Sequence, residues 1–378
     1  MHLQYTIPGT FAKSKQRVTY FLDILILLLL TLIILFAGYM YNIAWLSLII
    51  LFYSAVIRLL LDRDIYYPDR TFFYLLVIFI AAEVVSSIFS TELRESLFVV
   101  RRRAMLYIPF FASVMFIKNP KQLKKILNAF VVFTSFVSVL ELIRYFTDPH
   151  LKTAPIFELR VDYFGHPVSL GEIKMLALIM ICIFLLSKEK FNYDKIWLLL
   201  ISIPILLSFY LTNSRGAALG LISAIVVIGF VMNRKLLYLV ISAMILFLTF
   251  APAPLNTRML SMSDFSGRGI QSRFEMWKTS LEIAHDYPLL GIGSGDVINV
   301  YRQYTIIKYD GEGHQMHDNI LHLLVTTGIL GAAAWLSMMI YLFIRYIRIF
   351  MNTKNKIFLN DLALVSLASM TAFQVSGI

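Results

Sequence analysis

The chain has 378 residues, of which 59% are apolar and only 15% charged, and it carries a formal net charge of +11. Soluble globular domains hold about 25% charged residues, so this composition excludes an ordinary water-soluble fold. In a soluble chain the positive balance would suit nucleic acid; here it marks loops held against anionic lipid, and no nucleic-acid partner is expected.

Apolar runs of about 17–25 residues recur along the chain, each long enough to cross a bilayer. They are continuous rather than alternating, which favours helices over an outer-membrane barrel. No small-residue cleavage site follows the first run, so a cleavable signal peptide is not expected. Eleven spans are read in chain order, near residues 20–37, 43–61, 71–88, 104–117, 125–146, 169–187, 196–212, 215–232, 235–250, 319–344 and 361–378. The fourth is short, and a twelfth would follow residue 378 if the natural chain continues. Cys182, the single cysteine, lies inside the sixth run, which rules out an internal disulfide and a cysteine-based metal site.

Placing the N-terminus in the cytoplasm puts 19 of the 34 basic residues on the inner side. The short loops 118–125, 188–195 and 233–235 are densely basic, and short loops weigh most in the positive-inside rule. The same topology puts three polar segments on the outer face: 147–168, the turn Thr212–Arg215 and the long stretch 251–317. Arg101, Arg102 and Arg103 also fall outside, against the rule. They read either as an interfacial helix on lipid phosphates or as a docking site for an anionic lipid.

Arg160 lies in Phe157-Glu-Leu-Arg-Val-Asp-Tyr-Phe-Gly-His166, ahead of the sixth span. Arg160, His166 and Glu172 are candidates for ligand contact, or ordinary loop residues. Glu141 and Arg144, three apart, are expected to pair along one helix. Arg215 sits in a turn with almost no polar spacer between two apolar runs, so it lies at the membrane surface. An ionised residue there is costly unless paired or functional. It reads as a bidentate phosphate ligand or as a side chain snorkelling to the interface.

Arg273 opens an amphipathic helix to His285, with Phe274, Trp277, Leu281 and Ala284 on one apolar face. Gly291 to Gly295 superficially resemble a phosphate loop but match no nucleotide pattern, and no cofactor is expected. His314 and His317 precede the tenth span. His317, at the helix entrance, reads as a proton-handling imidazole or as a cap. His322, inside the helix, reads as a packing residue. A zinc site from His314, His317 and Asp318 lacks the His-Glu-x-x-His spacing, and no metal is expected.

Taken together, these segments resemble a known family. Arg273-Phe-x-x-Trp277, then His285-Asp-Tyr-Pro-Leu-Leu-Gly-Ile-Gly-Ser-Gly295, then His317-Asp-Asn-Ile-Leu-His-Leu-Leu-x-x-x-Gly-Ile-Leu-Gly331 are similar to the O-antigen ligase and O-antigen polymerase superfamily. Thr212-Asn-Ser-Arg-Gly216 resembles that family's Ser-Arg-Gly turn, and Phe164 to Gly171 resemble, more weakly, the segment before a middle span. The likeness is specific over about 210–335. Two departures stand out: Asp318 where the family commonly has Asn, and Thr326-Thr327 where an acid often precedes the late glycine.

The resemblance implies an all-α polytopic membrane protein with about 11–12 transmembrane helices. They would form a GT-C-like bundle, with one large periplasmic loop containing amphipathic helices. The expected divisions are 1–250, 251–317 and 318–378. It implies transfer of a glycan from undecaprenyl pyrophosphate to a sugar hydroxyl of lipid A-core, metal-independent and inverting. The protein would be multi-pass in a bacterial inner membrane, its N-terminus cytoplasmic and its active site periplasmic. Arg160, Arg215, Arg273 and His314 would bind the pyrophosphate, with Arg215 and Arg273 stabilising it as it leaves and His317 activating the acceptor hydroxyl or orienting the diphosphate. The alternatives are an O-antigen or exopolysaccharide polymerase, a protein O-oligosaccharyltransferase and, from a different class, a lipid-linked glycan flippase or transporter.

Overall fold

A computed structural model describes residues 9–61, 65–148, 163–188, 195–232, 268–295, 297–304 and 318–377, with Arg234, Lys235, Tyr238 and Ser242 between. The described residues form an all-α polytopic membrane protein. The helices are α1 (Gly9–Phe36), α2 (Tyr41–Leu61), α3 (Arg70–Ile88), α4 (Leu93–Leu106), α5 (Ile108–Phe116), α6 (Pro120–Thr147) and α7 (Pro167–Leu186). They continue with α8 (Lys195–Leu211), α9 (Arg215–Val231), α10 (Arg268–Asp286), α11 (Val297–Tyr304), α12 (Asn319–Asn352) and α13 (Ile357–Ser376). Among the described residues, seven helices are long and apolar enough to span a bilayer: α1 from Lys15, α2, α3, α6, α7, α12 and α13. The apolar helices α8 and α9, of 17 residues each, sit at the lower limit of spanning length. The run expected at 235–250 lies outside the described residues, apart from isolated positions.

The chain divides into two compact units, Met1–Asp69 with Arg102–Phe133, and Arg70–Arg101 with Thr134–Ile378. In the first, α1, α2 and α5 pack around Ile26, Leu29, Leu30, Leu51, Ala112 and Phe116. Asp23 is the polar tie at one end. Its carboxylate accepts from the buried Arg58 Nε at 2.7 Å and lies 3.4 Å from Lys118 Nζ. At the other end Arg102 donates to Tyr41 Oη at 2.9 Å. The run from Arg102 to Lys118 thus covers the same length as α2 from Tyr41 to Arg58, about 25 Å at 1.5 Å per residue. The expected fourth span traverses this unit, although not as one helix. Pro109 lacks the N–H that would reach the Met105 carbonyl, and the helix breaks at Tyr107 between α4 and α5.

In the second unit α13 packs against α7, α9 and α12, while α3 lies along α12. Its apolar interior holds a buried ion pair. Lys174 of α7 lies 2.7 Å from Glu141 of α6, both fully buried, and Ser208 of α8 donates to the same carboxylate. This corrects the expected pairing of Glu141 with Arg144. Arg144 instead stands over the Tyr163 ring, 4.0 Å from its centroid. Glu141 points into the bundle, where only an opposite charge compensates its lost hydration.

The feature that shapes the unit is a break in α12. Gly328 has φ 62° and ψ −166°, which interrupts the helix inside its apolar run. The freed backbone groups find partners in the segment Tyr287–Gly293. Ile292 and Gly293 donate their N–H groups to the Val325 and Thr326 carbonyls at 2.9 Å each, and Ile329 donates to the Pro288 carbonyl at 2.9 Å. Ser86 of α3 adds a hydroxyl bond to the Thr326 carbonyl at 2.6 Å. Unsatisfied backbone in an apolar medium costs several kcal/mol per group, so such a break persists only where it is filled. Gly291, at φ 65°, and Gly328 make the close approach possible. A Cβ on Gly291 would meet the Val325 carbonyl, and one on Gly328 would meet the Leu289 carbonyl.

Two stability predictions follow from these contacts. Lys174→Met strands a buried carboxylate and is expected to cost about 3–5 kcal/mol. Adding Glu141→Leu should recover most of that loss in thermal unfolding of the detergent-solubilised protein. A single variant as stable as the parent would refute the pairing. Gly328→Ala combines a forbidden φ with a backbone clash; the expected result is a melting temperature lowered by several degrees or loss of the monodisperse peak on size-exclusion chromatography. An unchanged melting temperature would mean that the break does not need its glycine.

Candidate active site

The site begins at the turn between α8 and α9. Thr212 bonds back to the end of α8, and Asn213 takes φ 60°, a conformation asparagine tolerates better than most residues. Ser214 then caps α9 by accepting from the Ala217 N–H. Arg215 is therefore the first helical residue, exposed, and it stands where the helix dipole is positive.

Close packing holds this turn in place. A Cβ on Gly171 of α7 would lie 2.8 Å from Ser214 Cβ, and one on Gly216 would lie 2.6 Å from the Ser376 carbonyl. Glu172 accepts from Ser376 Oγ at 3.2 Å. Gly377 abuts the Asn319 side chain. The starts of α7, α9 and α12 and the end of α13 thus meet at one end of the unit. Asp318 caps α12 by accepting from the Leu321 N–H at 2.7 Å. The cap is this aspartate, which fills that role as well as an asparagine would.

Arg273 reaches the same place from α10. That helix starts at Arg268, earlier than expected. Met276, Thr279, Ser280 and Ile283 are buried, and Met276 and Ile283 join a cluster with Ile292, Val297, Val300, Tyr301 and Val325. Phe274 and Leu281 are exposed, with Phe274 edge-on to Trp277 at 5.4 Å. Phe274 and Leu281 of the expected apolar stripe thus face outward, Trp277 and Ala284 are half-buried, and a less apolar stripe meets the bundle. The far end of α10 is tied to α11 by Tyr304 Oη donating to Asp286 Oδ2 at 2.6 Å. That bond holds the Asp286 carboxyl below the usual range and pushes the Tyr304 hydroxyl up to about 12.

Arg273 is half-buried. Burial first, and the positive charge of Arg215 second, lower its pKa from the ordinary guanidinium value. A guanidinium stays charged through such a shift. Two cations from separate elements are thus held within Coulombic reach of each other, one partly desolvated. An anion seated between them relieves their repulsion, and planar guanidinium forks suit phosphate oxygens.

Of the residues singled out from sequence, Arg215 and Arg273 come together, and Glu172 lies one glycine contact from them. Arg160, His314 and His317 lie outside the described residues. His166 is exposed at the N-cap of α7 and makes no side-chain cap bond. Gly291–Gly295 are not a phosphate loop: the N–H groups of Ile292 and Gly293 serve α12, and that of Gly295 donates to Ser96 Oγ at 2.9 Å. Ser376, Gly377 and Asn319 were not anticipated. Small residues at helix ends were the one available signal, and it is common in membrane helices. Among the described residues, no three metal-ligating side chains gather.

Residues 197–336 match a family model described as O-antigen ligase. That span begins in α8 and ends inside α12, so it includes Arg215, Arg273 and the Gly328 break. No curated protein matches the chain.

Proposed function

We propose that the chain, whose residues 197–336 match the O-antigen ligase family model, belongs to that superfamily and transfers a glycan from undecaprenyl pyrophosphate to a sugar hydroxyl of lipid A-core. The observation that carries this reading is the Arg215–Arg273 pair. A diphosphate leaving group gains negative charge as its bond to the sugar breaks, and preorganised cations at a low-dielectric surface stabilise that change.

The acceptor hydroxyl oxygen attacks the anomeric carbon. The bond from that carbon to the phosphate oxygen breaks, and undecaprenyl pyrophosphate departs with the electron pair. The hydroxyl proton passes to His317. Arg215 and Arg273 hold the departing diphosphate, with Arg160 and His314 as further ligands. One displacement inverts the anomeric centre, and the charge is carried by the arginines without a metal or nucleotide. The reaction takes place on the periplasmic face of a bacterial inner membrane, with the N-terminus in the cytoplasm.

The broken α12 invites a transport reading, because discontinuous helices bind substrates in secondary transporters. There the unwound carbonyls face the ligand. Here the Val325 and Thr326 carbonyls are occupied by Ile292, Gly293 and Ser86, which favours transfer.

Arg215→Ala and Arg273→Ala are each expected to lower transfer by about 10²–10³-fold at normal expression and folding. The test uses purified protein with undecaprenyl-pyrophosphate glycan, with and without lipid A-core. Glycan on lipid A-core is the expected product. Elongated lipid-linked glycan without acceptor would make the protein a polymerase. Full activity in either variant would remove that arginine from the mechanism.

A further inference from the structure

A second cationic site lies on α4. Its inner face is fixed: Ser96 and Val100 are buried, and Ser96 bonds both Ser90 Oγ and the Gly295 N–H at 2.9 Å. The outer face carries a groove of about 550 Å³ lined by Arg94, Glu95, Leu97, Phe98 and Arg101. Arg94 and Arg101 are two turns apart on one side of the helix, about 10 Å along its axis. Phe98 stands between them, and the Arg101 guanidinium lies 5.0 Å from its ring centroid. Glu95 offsets one of the two charges, so the groove stays positive.

The chemistry of the groove is amphipathic. Leu97 is 38% and Phe98 45% exposed, and Ile88 and Phe89, at the end of the spanning helix α3, are exposed as well. Four residues separate the last turn of α3 from α4. The groove therefore lies at the depth where acyl chains give way to headgroups. An exposed arginine over an aromatic ring suits a phosphate at that depth.

We propose that the α4 groove is a binding site for a phosphate-bearing anionic lipid, its phosphate between Arg94 and Arg101 and its acyl portion over Leu97 and Phe98. Through Ser96 the same helix touches the glycine hinge that fills α12, so an occupied groove steadies the segment on which the break depends. The inference does not rest on the transfer reaction.

The test uses the full chain in neutral detergent with a short-chain fluorescent phosphatidylglycerol. Phosphatidylcholine with the same label tests charge, and inorganic phosphate serves as competitor. Saturable binding of the anionic lipid is expected, weakening with salt. Arg94→Ala with Arg101→Ala should weaken it about tenfold or more, Phe98→Ala several-fold, and the control pair Arg348→Ala with Lys354→Ala not at all. The melting temperature checks the fold of every variant. Equal affinity for phosphatidylcholine, an unchanged arginine double variant, or displacement by low concentrations of free phosphate would each overturn the proposal.

Discussion

Saturation of the backbone at the α12 break is the constraint on which the larger unit depends. A helix interrupted in an apolar medium must have its freed carbonyls and amides met by protein. Tyr287–Gly293 meets them, and Ser86 on α3 adds a third strand of support. Because that segment directly follows α10, filling the break also fixes where α10 lies, and so where Arg273 lies. The hinge continues to Gly295, which is bonded to Ser96 of α4. One structural requirement thus links the spanning helix α12, the amphipathic helix that carries Arg273, and the helix that carries the α4 groove.

This arrangement explains why glycines gather at 291–295 and 328. A glycine run of that kind suggests a phosphate cradle when read as a string, since phosphate loops also need close backbone approach. The two uses separate only when the destination of each N–H is known. Here Ile292 and Gly293 give theirs to Val325 and Thr326. The Thr326-Thr327 pair, where an acid is more usual, lies fully inside this contact. Its threonines return their hydroxyls to the preceding turn, at the His322 and Leu323 carbonyls, which leaves the carbonyl of Thr326 for the hinge and Ser86.

Much of the fold was legible because hydrophobic length is a strong signal: α2, α3, α6, α7 and α13 were each expected within a few residues, while α1 starts earlier than expected, at Gly9, and α12 runs on to Asn352. The exposed position of Arg215 was legible because it stands with almost no spacer between two apolar runs. Three things were not. The break at Tyr107 depends on Pro109 within a run whose overall hydropathy still reads as one span. The partner of Glu141 lies on another helix, and sequence spacing reports only neighbours on the same one. The buried stripe of α10 was not legible because Met276, Thr279, Ser280 and Ile283 mix apolar with hydroxyl side chains, while Phe274, Trp277 and Leu281 form the more evident apolar stripe. In a membrane protein the most apolar stripe has no reason to face the protein, since lipid accepts it equally well.

The two site arginines are held by different means, and the difference bears on what they can do. Arg215 stands on a turn locked by contacts with almost no slack: Gly171 on Ser214, Gly216 on Ser376, and Glu172 on Ser376. Arg273 stands on a helix whose position is set by the hinge downstream and whose outer stripe of Phe274 and Leu281 is exposed. Their charges oppose each other, and burial adds to the strain on Arg273. A diphosphate seated between them, as proposed above, would offset that opposition and hold α10 beside α9. Its binding would then be coupled to the seating of α10, and through Tyr287–Gly293 to the filled break in α12. A rigid cation and a seated one, joined by their ligand, would make the site most complete when a diphosphate occupies it.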